Sequence, residues 1–295
     1  MASSVVDIPR MNLELVKQIG SGGFGDVFHM KWKQDSGVIQ HVAAKRLYGL
    51  ANNELDIMSK LDHPNIVKLY GRVVEEMGCM LILELCEGGS LRDYLDCNGK
   101  EPVSADLFKR WSTQAARSIE YLQQMNIVHK DVKSQNFVIC AAGTLKLIDF
   151  GLAKNIRKTQ SNASESGTWA YMAPELLKDQ KLSSTKFDIY AYAVVLWEML
   201  TGKLPYEGWG HPKIVMHVCE DNKRLEIPES CPMYLAELLT LCWLEEYTRR
   251  PSIHQVLTFL GKILVMRDSI IVQRARTISC PLYYPYGCST PAHAT

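Results

Sequence analysis

The chain has 295 residues, 47% hydrophobic and 22% charged, a composition typical of a globular protein and not of a disordered or collagen-like one. Its 33 basic and 32 acidic residues give a formal net charge of +1, so there is no global attraction to nucleic acid or anionic membranes. The first residues lack a basic stretch followed by a long apolar run, and we therefore expect no secretory signal.

The most apolar helical stretch, residues 189–197, is well short of the roughly 20 residues needed to span a bilayer. Nine cysteines are scattered along the chain without a C-x-x-C pair or a matching histidine spacing. That distribution does not fit the common zinc motifs. It favours dispersed, reduced thiols in an intracellular protein, and we expect a cytoplasmic location.

The first 85 residues predict a small β-rich unit. Short β-forming runs separated by Gly, Asp, Ser or Pro occupy residues 13–20, 26–32, 38–46, 65–71 and 79–85. Between the third and fourth runs, Leu55, Met58 and Leu61 recur every three residues, which indicates a helix. Pro64 prevents its continuation. We therefore predict one helix inserted into a small sheet.

After Cys86 the pattern changes to long helical repeats. Ser104 is a candidate cap before a stripe of core-facing residues at Leu107, Trp111, Ala115, Ile119 and Leu122. Further helices are predicted at residues 185–201, 212–220, 232–243 and 252–266, with a hairpin from runs at 137–140 and 144–150. Because the stretch 187–200 is apolar around most of its circumference, it predicts a helix buried on all sides.

A glycine-rich loop, GSGGFG, places Gly20, Gly22 and Gly25 after the first predicted strand. Glycines allow backbone amides to approach phosphate oxygens closely, although such a match taken alone could be a plain turn. A dinucleotide-binding loop would continue into a helix, but residues 26–32 predict a strand. The loop is therefore expected to cover phosphates from a hairpin.

Lys45 ends the apolar run HVAAK. A lysine at the end of a strand is usually a solvated edge charge, but the flanking alanines and valine indicate a partly buried side chain. A buried ammonium requires an anionic partner. Glu54, on the inward face of the predicted helix, is the natural candidate.

The run NIVHKDVKSQN at 126–136 contains His129, Asp131, Lys133 and Asn136. Asp131 would accept a hydroxyl proton or align the hydroxyl group for attack. Lys133 would neutralise the charge of the phosphate that is transferred. Asn136 and Asp149, the latter in IDFG, would supply oxygen ligands to Mg²⁺. Taken separately, Asp131 or Asn136 could be an ordinary turn residue. For His129 we expect core packing.

The motifs GSGGFG, VAAK, HKDVKSQN, DFG and APE (173–175), with Glu54, stand in the order found in protein kinases, and residues 13–262 resemble that family. The resemblance implies an α+β, two-lobed kinase fold with ATP and Mg²⁺ between the lobes. It also implies a gatekeeper, Leu83, before an adenine-binding hinge, residues 84–86. The implied ATP-binding residues are Gly20, Gly22, Gly25, Val27, Ala43, Lys45, Glu84 and Cys86.

The predicted domain organisation follows from this resemblance. An extension of residues 1–12 precedes the kinase domain at 13–262, and a tail at 263–295 follows it. Within the domain, residues 13–85 would form the amino-terminal lobe with the inserted helix, and residues 86–262 the larger helical lobe.

Lys133, two residues after Asp131, resembles the serine/threonine pattern, and other segments are similar to the tyrosine-kinase-like group. The similarity is greatest to mixed-lineage and leucine-zipper kinases that act as MAP kinase kinase kinases, while HPNIVKLYG and CEGGSL also resemble the transforming-growth-factor-β-activated kinase. This implies MAP kinase kinases as protein substrates. It also implies that Arg250 pairs with Glu175 and that Asp188 anchors the catalytic loop.

A pseudokinase scaffold that binds nucleotide and signalling partners is the alternative. Its usual sign is the loss of the residues equivalent to Lys45, Asp131 or Asp149, and all three are present.

Two features depart from the family pattern. Lys130 stands where most kinases have arginine, and because lysine offers a point charge instead of a planar fork, docking of a phosphorylated activation loop should be weaker. Lys45 and Glu54 are only nine positions apart, so an asparagine cap would start the helix almost at Glu54. We interpret the short connection as a feature of this branch, the alternative being an inactive helix position.

The polar segment 153–172 between DFG and APE predicts the regulatory sites. Its composition alone would suit a flexible loop, but in this fold a phosphate there can order the loop by pairing with nearby cations. We predict Ser164, then Ser161, as the sites, with Thr168 unmodified near Asp131 and Lys133. Phosphopeptide mapping should find phosphate on these serines in active enzyme, and active enzyme unmodified at both would contradict the prediction.

Overall fold

The computed structural model describes residues 5–22, 25–48, 53–76, 78–155, 169–179 and 182–265. Its amino-terminal part is an antiparallel five-stranded sheet with one short helix. The elements are β1 (Leu13–Gly22), β2 (Gly25–Lys33), β3 (Ile39–Tyr48), α1 (Asn53–Met58), β4 (Leu69–Glu75) and β5 (Gly78–Glu84). The strand order across the sheet is β1-β2-β3-β5-β4.

The alternation of side chains along β3 gives the sheet two different faces. Ala43 and Leu47 join the main core that continues into the rest of the molecule. Val42 and Ala44 join a separate, smaller core on the opposite face. Lys45, which shares the first face, is thereby directed away from the outer surface of the sheet.

The predicted fourth strand is displaced along the chain. It was expected at residues 65–71 but is observed at Leu69–Glu75. Asn65 and Val67 are instead hydrogen-bonded through their backbones to Leu147, and the Asn65 side chain donates to the carbonyl of Leu145. The first residues of the apolar run therefore pair with a hairpin of the carboxy-terminal part and not with the sheet.

The carboxy-terminal part is mainly helical. Its helices are α2 (Leu91–Cys97), α3 (Ala105–Gln124), α4 (Pro174–Lys178), α5 (Lys186–Thr201), α6 (His211–Val215), α7 (Met233–Cys242) and α8 (Ile253–Val265). Its short strands are β6 (Ile127–Val128), β7 (Phe137–Ile139), β8 (Leu145–Leu147) and β9 (Lys154–Asn155). The long helices and the β7–β8 hairpin confirm the predicted pattern, and the whole confirms an α+β, two-lobed architecture.

Helix α2 was not predicted. It begins after Ser90, whose hydroxyl accepts from the backbone amide of Asp93 while the Asp93 carboxylate accepts from the amide of Ser90. This reciprocal capping satisfies two amides that would otherwise lack partners. Serine followed three residues later by an acidic residue was the sequence signal that the prediction overlooked.

Helix α5 is buried around nearly its whole circumference, as predicted. Its amino-terminal end lies against Arg250, whose guanidinium nitrogens donate to the two carboxylate oxygens of Glu175 at 2.6 and 2.7 Å. This two-point contact confirms the predicted pair and joins α4 to the segment before α8. Among the described residues, no helix combines the length and apolar character needed to cross a bilayer.

Candidate active site

A cleft of about 800 Å³ lies between the sheet and the β7–β8 hairpin, a size typical of ligand pockets. Most predicted site residues line it, namely Gly20, Gly25, Val27, Ala43, Lys45, Glu54, Glu84, Cys86, Lys133, Asn136 and Asp149. Gly22 and Asp131 do not belong to the lining. Gly22 pairs with Gly25 across the turn, and Asp131 is buried beneath the cleft, in contact with Lys133 and Asn136.

Apolar walls complete the cleft. Val27, Ala43, Leu83 and the hinge residue Leu85 belong to the prediction, whereas Ile19, Met58, Val67, Val138 and Ile148 were not predicted. They come from strands, the inserted helix and the connection between the lobes. In the sequence, these residues cannot be distinguished from ordinary core residues. The fold shows that they line the cleft, where a flat ring could pack between them.

The two glycines on the cleft lining have different roles. Gly25 has a φ of +120°, and a Cβ atom there would lie 2.2 Å from the carbonyl oxygen of Arg46. Glycine is therefore required by backbone conformation and by the close approach of β3. At Gly20 a Cβ atom would make only ordinary contact with Val27. Internal packing does not explain this glycine, which fits the predicted phosphate contact.

Lys45 is the central charge of the site. Its Nζ lies 2.8 and 2.9 Å from the two carboxylate oxygens of Glu54 and 2.9 Å from Oδ1 of Asp149. Lys45 and Glu54 are only 7% and 4% exposed, so these charges depend on one another for compensation. The predicted pair of Lys45 and Glu54 is formed with helix α1 in this position.

Burial and pairing shift the pKa values of this group in opposite directions. Burial would lower the pKa of Lys45, but Glu54 and Asp149 outweigh it and raise the pKa, so the ammonium stays charged. Burial would raise the pKa of Asp149, but the Lys45 ammonium lowers it below its ordinary value. The site therefore holds a fixed cation beside an ionised carboxylate.

Asn53 makes a contact that sequence reasoning missed. Helix α1 spans Asn53–Met58, so it starts almost at Glu54 as predicted. The Asn53 side chain, however, donates from Nδ2 to the carbonyl oxygen of Ala153 at 2.8 Å. The short helix is thereby joined to the chain that follows the DFG motif.

The predicted catalytic carboxylate, Asp131, is 1% exposed. Its Oδ2 lies 2.7 Å from Nζ of Lys133 and accepts from Nδ2 of Asn136 at 2.8 Å. Its Oδ1 is buried and has no hydrogen-bond partner among the described residues. An unpartnered buried oxygen is costly, and a substrate hydroxyl would satisfy it.

A divalent cation fits the oxygen donors of the cleft. Because the amide nitrogen of Asn136 donates to Asp131, its amide oxygen remains as a neutral ligand. Asp149 supplies a charged one. These are the donors that Mg²⁺ prefers beside phosphate oxygens and water.

His129 is fully buried, as expected, and supports the loop. Its Nε2 lies 3.0 Å from the carbonyl oxygen of Ile148, and its Nδ1 accepts from the backbone amide of Asp131. These contacts together fit a neutral ring with its proton on Nε2. Asp188 accepts from the amides of His129 and Lys130, which confirms the predicted anchor from α5.

Lys130 adopts a φ of +66°, and its Nζ donates to the carbonyl oxygen of Leu182. Burial, and then the positive charge of Lys154, lowers the pKa of Lys130. A bound anion would oppose this lowering, because an opposite charge favours the protonated ammonium. Ser161, Ser164 and Thr168 lie outside the described residues.

The prediction of reduced thiols throughout is wrong for one pair. Cys86, on the cleft, is joined in a disulfide to Cys140, with Cα atoms 4.1 Å apart. The two are separated by 54 positions in sequence, so spacing could not reveal their proximity. Cys86 follows β5 and Cys140 follows β7, and the fold places these two ends side by side.

A buried polar network fixes the loop from below. Glu198 of α5 is fully buried, and its Oε1 accepts from Ser134 at 2.8 Å and from Arg92 at 3.0 Å. Burial raises the pKa of Glu198 to about 7. Ser134 lies between Lys133 and Asn136 in sequence, so this network positions the loop that carries the predicted catalytic residues.

Comparisons with known proteins cover most of the chain. Residues 13–260 match the family model described as protein tyrosine and serine/threonine kinase. A probable serine/threonine-protein kinase of Dictyostelium discoideum is 31% identical over 88% of this chain and 29% of its own length. Mitogen-activated protein kinase kinase kinase 12 of Rattus norvegicus and 13 of Homo sapiens are each 32% identical over 86% of this chain. The chain covers 28% and 26% of those two relatives.

The raised pKa of Glu198 predicts a pH-dependent stability. Folding raises the pKa of Glu198 from its ordinary value of 4.5 to about 7, so the folded protein binds the Glu198 proton more tightly than the unfolded chain does. The contribution of this proton to the free energy of unfolding is complete below pH 4.5 and is lost as the pH rises through about 7. In Glu198→Gln the position cannot titrate. Urea unfolding across this range should therefore show wild type losing stability relative to the variant as the pH rises.

Glu207 offers a matched control. Its side chain is exposed, and a hydrogen bond from Lys100 lowers its pKa. Any pH-dependent difference in stability between wild type and Glu207→Gln should therefore occur below pH 4.5. There wild type should gain stability relative to the variant as the pH rises, the opposite of the Glu198 effect. A stability difference between wild type and Glu198→Gln that stays constant from pH 4.5 to 7 would contradict the prediction.

Proposed function

Because the chain belongs to the protein tyrosine and serine/threonine kinase family, we propose that it transfers the γ-phosphate of ATP to serine or threonine hydroxyls of proteins. The observation that carries this proposal is the contact of Lys45 with both Glu54 and Asp149 at 2.8 to 2.9 Å. It brings together the lysine, the helix glutamate and the metal-binding aspartate that phosphoryl transfer in this family requires.

Each residue of the site has a role in this proposal. Asp131 directs its unpartnered Oδ1 to the acceptor hydroxyl and aligns it for in-line attack. Lys133, 2.7 Å from Asp131, neutralises charge on the transferred phosphoryl group, and Lys45 holds the non-transferred phosphates. Asn136 and Asp149 would hold Mg²⁺, which when bound neutralises charge on the phosphates.

The adenine would lie between the apolar walls. Val27 and Ala43 cover one side of the cleft and Val138 the other, while the connection after Leu83 supplies backbone groups at Glu84 and Cys86. Concave apolar sites with a few placed polar groups are the usual form of cofactor pockets. Catalysis then consists of positioning and charge neutralisation, without covalent chemistry by the protein.

MAP kinase kinases are the proposed substrates, and the cytoplasm the proposed location. The support is the naming of relatives as mitogen-activated protein kinase kinase kinases and the position of Lys133 relative to Asp131. The chain spans about a quarter of those relatives, so this assignment concerns the catalytic part.

A nucleotide-binding scaffold without transferase activity is the competing function. Such a scaffold could still bind nucleotide and partners if a catalytic group were misplaced. The formed Lys45–Glu54 pair, the buried Asp131 and its contact with Lys133 favour the enzyme instead, because a buried charge cluster is maintained only at a cost in desolvation.

The variant Asp131→Asn should retain Mg-ATP binding but lose phosphate transfer by a factor of about 10² to 10⁴. The substrates would be a catalytically dead MAP kinase kinase and a generic protein, and the readout incorporation of labelled phosphate into serine or threonine. Asp106→Asn, the same change at an exposed site on α3, is the control and should have wild-type activity.

Two outcomes would contradict the proposal. Equal, negligible transfer by wild type and Asp131→Asn with intact nucleotide binding would establish the scaffold. Transfer to the generic protein but not to the MAP kinase kinase would retain the kinase and remove the proposed substrate class.

A further inference from the structure

The connection between the lobes, residues 85–90, runs beside β7 as an additional antiparallel segment. Gly88 donates its backbone amide to the carbonyl of Ile139, and Ile139 donates to the carbonyl of Gly89, each at 2.9 Å. Ser90 and Val138 form a further bridge. Cys86, two residues before Gly88, lies beside Cys140, the residue that follows Ile139, with their Cα atoms 4.1 Å apart.

Gly88 permits this close approach. A Cβ atom at Gly88 would lie 2.7 Å from the carbonyl oxygen of Ile139 and 2.9 Å from its side chain. Any other residue would push the connection away from the hairpin. The proximity of Cys86 and Cys140 is therefore a consequence of backbone packing, with or without a bond between their sulfurs.

Cys86 and Cys140 also lie where oxidation would affect the cleft. Cys86 lines the cleft and is half-buried, so it can meet a dissolved oxidant, whereas Cys140 is 7% exposed and is positioned to react second. Burial raises the pKa of other thiols, to about 11 at Cys231 and about 12 at Cys242. A raised pKa makes those two thiols poor nucleophiles.

We propose that Cys86 and Cys140 form a reversible oxidation site for hydroperoxides, and that closing the disulfide restrains the lobes. The inference rests on the proposed nucleotide site. In an intracellular protein, disulfides are usually transient and regulatory, not structural. The protein would then alternate between an oxidised state, with the Cys86–Cys140 bond seen in the structure, and a reduced state with two adjacent thiols.

The chemistry balances with hydrogen peroxide as oxidant. The Cys86 sulfur attacks one peroxide oxygen, the O–O bond breaks, and the products are a Cys86 sulfenic acid and one water. The Cys140 sulfur then attacks the Cys86 sulfur and displaces its hydroxyl group, which leaves as a second water with the Cys140 proton. The two sulfurs supply the two electrons that reduce the peroxide. A dithiol reverses the bond by exchange.

The restraint acts on the opening of the cleft. Nucleotide exchange in such two-lobed proteins requires rotation of the lobes about their connection. One cross-link between the lobes already exists, because Lys146 of β8 lies 2.7 Å from Glu84 at the end of β5. Backbone hydrogen bonds already hold Gly88 and Gly89 of the connection to β7. A covalent bond at Cys86 would attach the connection two residues closer to β5 and shorten the part that bends when the lobes rotate, so release of nucleotide should slow.

The test compares wild type, Cys140→Ser and Cys97→Ser, each treated with hydrogen peroxide or with dithiothreitol. Cys97 is an exposed cysteine outside the pair, so Cys97→Ser serves as the matched control. Tandem mass spectrometry of unreduced digests would locate the bond, and must resolve Cys86 from Cys79 because both lie on the tryptic peptide 73–92. Stopped-flow fluorescence would give the dissociation rate of N-methylanthraniloyl-ADP with Mg²⁺.

We expect a Cys86–Cys140 link and dissociation slowed about fivefold in oxidised wild type and Cys97→Ser. Reduction should reverse both, and Cys140→Ser should show neither. Absence of the link after oxidation, or a link with unchanged dissociation, would overturn the inference. If the link forms and dissociation slows while no redox state transfers phosphate, the inference stands and the proposed kinase activity fails.

Discussion

The contact of one buried ammonium with two carboxylates is the interaction on which the site depends. Lys45 from β3 meets Glu54 from α1 and Asp149 from the chain after β8, so a single charge joins both lobes. Buried charges persist only when paired, and removing one partner typically costs about 3 to 5 kcal/mol. The arrangement that would hold the phosphates is for this reason also the arrangement that holds the inserted helix against the cleft.

Helix α5 provides the second constraint, because it supports the catalytic loop from within the core. An almost entirely apolar helix can carry polar side chains only where their partners are fixed. The Asp188 carboxylate accepts hydrogen bonds from the backbone amides of His129 and Lys130. The Glu198 carboxylate accepts one from the hydroxyl of Ser134. The loop is thus attached at two points, on either side of Asp131, to the most deeply buried element of the molecule. The same packing that stabilises the fold also fixes the position of the Asp131 carboxylate, the proposed catalytic group.

Local sequence patterns could predict most of the elements, because apolar periodicity and caps act over a few residues. The order of motifs could likewise predict Lys45, Glu54, Asp131 and Asp149 as one site. Features that depend on distant segments could not be predicted. Residues 65–67 pair with the hairpin and not with the sheet, Asn53 contacts Ala153 a hundred positions away, and Cys86 meets Cys140. In each case the partner is chosen by tertiary packing, which overrides the local preference.

If Lys45 and Glu54 act as one unit in catalysis, a double-mutant cycle on kcat/KM for ATP will show their effects to be coupled. The variants would be Lys45→Met, Glu54→Gln and their combination, each first shown to be folded. We expect kcat/KM of the double variant to be no lower than that of the more damaging single variant, with a coupling free energy of at least about 1 kcal/mol. Losses that multiply independently would show instead that the buried pair does not position the lysine for phosphate transfer.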